Sequence, residues 1–140
     1  MKSLLLSAAL ALAAPSLVLA QPMTPQEMGL SAPVIALVPV MAKNADALKF
    51  DDKQKAELKS WMETMGPKRM GLEKETADLR AQMRKAIVDN APVADREALA
   101  AKIGANETAL VMMRSNCVDH WRTVLTPDQF AKVVAMASGK

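Results

Sequence analysis

Met113, Cys117 and His120 are the side chains of this 140-residue sequence whose types and spacing come nearest to a chemical site. At the roughly 100° per residue of an α-helix they fall at about 0°, 40° and −20°, on one narrow face. Thioether, thiolate and imidazole together suit a soft or borderline ion: Cu(I), or Zn(II) with the methionine spared. Met62 and Met65, with Met70 nearby, lie in an upstream helical pattern that could fold back opposite and lend further thioethers. Two other accounts of these residues stay open. Val124 falls at about 20° on the same face, so the stripe can be plain core, where cysteine and methionine are common. His120 would then bond Asp119 or the backbone. Cys117, the only cysteine, could alternatively link two chains.

The same residues give little support to catalysis. Cys117 and His120 could form a nucleophile–base pair, but no orienting group or oxyanion element can be named beside them, and an enzyme is not expected. The sequence contains no Cys-x-x-Cys and no His-x-x-x-His, which removes a preformed zinc finger or covalently attached haem.

These residues need helices to hold them, and the hydrophobic pattern supplies four. Pro33 to Leu48 is an apolar stretch with Pro39 inside it, which predicts a short irregular helix. From Asp52 to about Asn90, Leu58, Met62, Met65, Leu72, Leu79, Met83 and Ile87 recur at helical spacing, with charges on the other face. Gly66-Pro67 is expected to interrupt and kink this helix. A third helix from about Asp95 to Val124 carries Leu99, Ile103, Leu110, Met113, Cys117, Trp121 and Val124 as its stripe. A short fourth runs from Pro127 to about Ala137. No period-two run bounded by hairpin signals reads as a strand. The fold class expected is all-α: a four-helix, hairpin-based domain with two long antiparallel helices and short flanking ones.

The N-terminus predicts export. Lys2, the apolar run Leu4 to Ala14 and Val18-Leu19-Ala20 before Gln21 form the tripartite pattern of a cleaved signal peptide, residues 1–20. The run is too short for a stable membrane span, and no transmembrane segment is expected in the mature chain. Residues 21–32, with Pro22, Pro25 and Gly29, read as a loose arm. Of the 18 basic residues only Lys2 belongs to the leader, so 17 face 15 acidic ones in the mature chain. That small excess, without a basic block interleaved with aromatics, sets nucleic acid aside as a partner. Ten methionines in the mature chain imply a flexible, polarisable core.

Leu125-Thr126-Pro127-Asp128-Gln129-Phe130 is the most specific local signal. Thr126 is an N-cap, Pro127 takes N1, Asp128 favours the positive helix end and Gln129 at N3 can reach back: a capping box, stapled by Leu125 and Phe130. A weaker copy lies 75 residues upstream, Phe50-Asp51-Asp52-Lys53-Gln54, with Asp51 as cap and Gln54 at N3.

On these two motifs and the long charged helix between them, roughly Val40 to Ala137, the sequence resembles the periplasmic LTxxQ family. That family includes the Spy and CpxP proteins and the related heavy-metal-resistance proteins CnrX and ZraP. The resemblance assigns residues 33–140 to one helical domain in the periplasm, often paired as a homodimer. It implies an envelope-stress or heavy-metal-resistance accessory protein; the soft-metal candidates Met113, Cys117 and His120 rest on the helical spacing alone. The alternative it implies is an ATP-independent chaperone or regulatory binding module without a metal. The partners would then be unfolded envelope proteins or a membrane sensor protein.

Overall fold

The computed structural model describes residues 30–139; the expected signal peptide and all but the last residues of the expected arm lie outside them. Four helices and no strand make up the described residues: α1 (Leu37–Asn44), α2 (Asp52–Val88), α3 (Val93–Val124) and α4 (Pro127–Ala137). The all-α hairpin with two short flanking helices is therefore the architecture of the chain.

Local chemistry accounts for each boundary. Pro39 does not break α1, because it is the third residue of the helix, where the N–H has no intrahelical acceptor in any case. Gly66-Pro67 does not interrupt α2 either, which is helical throughout its 37 residues. The missing Pro67 N–H leaves the Glu63 carbonyl one turn earlier without its usual donor, but both residues are exposed and water can serve it. The turn to α3 is a Schellman motif: Asn90 adopts φ 53°, Asn90 N donates to Ile87 O and Ala91 N to Ala86 O. Pro92 then sets the N-cap and α3 begins at Val93, ahead of the expected Asp95. The same pattern ends the turn after α1, with Lys49 at φ 54°, Lys49 N on Asp46 O and Phe50 N on Ala45 O.

The core gathers at one end of the hairpin. Leu37 and Met41 of α1, Leu58 of α2, Cys117 and Trp121 of α3 and Val133 of α4 pack there with Leu48, Phe50 and Leu125 from the connections. Trp121 is wholly buried and fills the centre. Burying each large apolar side chain contributes roughly 1.5–3 kcal/mol. At the far end the apolar stripe has no third layer to cover it. Ile87, Val88 and Val93 are exposed there, Val88 by 83%.

Both capping boxes form. Asp51 Oδ1 accepts from Gln54 N at 2.8 Å and Gln54 Oε1 accepts from Asp51 N at 3.1 Å. Thr126 Oγ1 accepts from Gln129 N at 3.3 Å and Gln129 Oε1 accepts from Thr126 N at 3.1 Å. The two glutamines then pair with each other. Gln54 Nε2 donates to Gln129 Oε1 at 2.9 Å, and Gln129 Nε2 donates to Gln54 Oε1 at 3.1 Å. Each amide also reaches the chain entering the other motif. Gln54 Nε2 donates to Val124 O, and Gln129 Nε2 to Leu48 O and Lys49 O, all at 3.2 Å. Val124 and Lys49 both stand five residues before their own glutamine, so the clasp is two-fold symmetric in its bonding. It fills the hydrogen-bonding capacity of both amides, which is what permits Gln54 to lie buried.

Candidate binding groove

Beside the core, residues of α1, α2 and α3 line a groove of about 460 Å³. Proline fixes α1's first turn, and Val38, Pro39 and Ala42 form one wall. Across from it α2 presents Trp61, Met62, Met65 and Arg69, one turn apart or less, on either side of Gly66. The floor is α3, through Met113, Arg114 and Cys117.

The fold thus brings Met62, Met65, Met113 and Cys117 to the lining of a single groove. His120 is placed elsewhere. Its ring stacks on Trp61, with centroids 4.2 Å apart and planes at 21°, and meets Trp121 edge-on at 5.1 Å. Nε2 lies 3.0 Å from Glu57 Oε1, off the line a hydrogen bond requires. His120 is therefore an aromatic spacer behind the groove wall, and it does not line the groove. Met70 lies one turn beyond Met65 and is exposed.

Burial pushes the Cys117 thiol up, and Arg114 and the Trp121 indole N–H pull it down less strongly. The thiol is consequently held protonated, which weakens it as nucleophile and as metal ligand. Among the described residues no group of three His, Cys, Asp or Glu side chains is arranged to hold a metal ion. The donors that converge are soft sulfurs, which fit Cu(I) and lack the imidazole or carboxylate that Zn(II) would add.

The charge in the groove is basic. Arg69 Nη1 reaches both carboxylate oxygens of buried Glu73, at 2.5 and 2.6 Å. Arg114 lies between this pair and the groove and makes no hydrogen bond or ion pair among the described residues. Burial and the Arg69 charge both hold its guanidinium below the usual range, while Glu73 offsets part of this. Nearby Glu107, which also lines the far side of Arg114, is engaged by Arg80 at 2.7 Å.

Sequence patterning singled out the methionines and the thiol, and missed Trp61 and Arg114. Arg114 had a signal: it adjoins Met113 and precedes Cys117 by three, at the margin of an otherwise apolar stripe. Among the described residues no helix is long and apolar enough to cross a membrane.

No curated protein and no solved structure matches the chain. The sequence model of the LTXXQ motif family matches residues 39–137, the interval that runs from the first turn of α1 through α4 and contains both capping boxes and the clasp between them. The chain belongs to the LTXXQ motif family.

Proposed function

We propose that this protein is an exported, periplasmic binding module of the Spy/CpxP kind that holds exposed apolar stretches of unfolded envelope proteins, without ATP and without turning over a substrate. The observation that carries this is the groove between α1 and the hairpin, lined by Met62, Met65, Met113 and Trp61. Unbranched thioether side chains repack around different apolar partners, which suits a surface that must accept many sequences. Exposed Met70 and Met112 extend that character beyond the groove. The test is suppression of aggregation of a chemically unfolded client. Wild type at several-fold molar excess should suppress it, and Met62→Glu/Met65→Glu should not. Equal suppression by both, or by neither, refutes the groove as the binding surface.

A second reading rests on the convergence of three thioethers and one thiol on the same groove: capture of Cu(I) in envelope metal stress. Titration of the reduced protein with Cu(I) against a competing chelator tests it. Stoichiometric binding lost in Met62→Leu/Met113→Leu supports it, and no binding at micromolar metal ends it.

A further inference from the structure

We propose that the groove selects polypeptide segments in which an acidic side chain flanks the apolar residues, and that Arg114 is the residue that reads the acid. This rests on the groove being a peptide-binding surface and names the class of peptide it takes.

Among the described residues the charges around Arg114 do not balance. Two guanidiniums, Arg69 and Arg114, stand beside one buried carboxylate, Glu73, and both of its oxygens already bond Arg69. The next carboxylate, Glu107, is taken by Arg80. A half-buried arginine without an anionic partner is unfavourable, because the protein strips its water without replacing the hydrogen bonds. Arg114 opens on the floor of the groove beside Met113 and Cys117, so a bound carboxylate would meet it there. Guanidinium and carboxylate match in a bidentate, charge-assisted pair, and the partly dehydrated site strengthens it. The methionines accept the apolar neighbours without strict shape, so the arginine supplies the discrimination.

The experiment uses fluorescently labelled peptides of one apolar sequence carrying Glu, Gln or Lys at a single flanking position. Binding to the purified protein is followed by anisotropy and by Trp61 emission. Wild type is expected to bind the Glu peptide roughly tenfold tighter than the Gln peptide, and the Lys peptide weakest. Arg114→Gln should lose the preference, with the Glu and Gln peptides bound alike. Arg114→Lys should keep the order with a smaller ratio. Raised salt should narrow the wild-type ratio, which tests the charge term even should a variant misfold. A Glu-to-Gln ratio near one in wild type, or an unchanged ratio in Arg114→Gln, overturns the proposal while leaving the groove intact as an apolar site. Failure of all three peptides to bind overturns the groove reading itself. Peptide binding that appears only after removal of residues 21–29 would make Glu27 of this chain the occupant and likewise overturn it. So would peptides that merely compete with self-association in sedimentation.

Discussion

Gln54→Ala tests whether the two capping boxes act as one unit. The side chain makes four hydrogen bonds: with the Asp51 amide, the Val124 carbonyl and, in both directions, the Gln129 amide. Asp51 is exposed, so water can replace the first. The other three lie in a mostly buried seam, where each is worth about 1 kcal/mol net. Gln54→Ala should therefore cost about 3 kcal/mol. Asp51→Ala removes the cap alone and should cost about 1 kcal/mol. Gln129→Ala should resemble Gln54→Ala, since it also strips the donor from Leu48 O and Lys49 O. The two singles share the reciprocal amide pair, so adding them counts it twice, and the double variant should fall short of their sum by about 2 kcal/mol. Urea unfolding followed by far-UV circular dichroism measures all four, provided the slope with urea is unchanged. Additivity within about 0.5 kcal/mol refutes the coupling. So does a Gln54→Ala no worse than Asp51→Ala.

Cys117 should alkylate slowly in the native protein, with a rate that climbs at higher pH than for the same thiol in the urea-unfolded chain. The sign for stability follows: the folded thiol binds its proton more tightly, so its contribution is complete below the unfolded-state pKa and is lost as pH rises through the folded one. A native thiol that titrates at or below the unfolded value contradicts this. His120→Ala should lower stability by roughly 1–2 kcal/mol through its lost contacts with Trp61 and Trp121, and leave any Cu(I) affinity unchanged. A large loss of metal binding would bring the imidazole back into the ligand set. Pro67→Ala should stabilise α2 by about 1–3 kcal/mol, because the Glu63 carbonyl regains a donor. Unchanged or lower stability in thermal unfolding would show that the proline is required by packing.

The four helices and both caps were legible because they depend on local chemistry. Helical spacing of Leu58, Leu79 and Trp121, and Asp51 or Thr126 three residues before a glutamine, act within a turn or two. Gly66-Pro67 misled for a related reason: propensity marks proline as a breaker, and continuous packing along a long hairpin overrides it. Only the structure shows the pairing of Gln54 with Gln129, since nothing local says that two boxes 75 residues apart should meet. The site divided along the same line. One-helix geometry placed Met113, Cys117 and His120 on one face of a helix. It could not say that Trp61, from another helix, would stack on the imidazole and take it out of the group. In sequence Arg114 is one more charge; what distinguishes it is that Glu73 and Glu107 are engaged by Arg69 and Arg80, which only the tertiary packing decides.

The amide clasp also fixes how the molecule carries load. It joins the entrance of α2 to the exit of α3, and the packed core lies at that same end. From there α2 projects for about 55 Å, and its outer part beyond Leu79 is only two helices thick. The molecule is a cantilever, rooted at the glutamines and free at the Asn90 turn. A partner seated in the groove presses near the root, where a given displacement is stiffly opposed. One seated on Ile87, Val88 or Val93 works at the tip, where the same force bends the beam much further. The two ends of one hairpin thus offer a rigid jaw and a compliant arm.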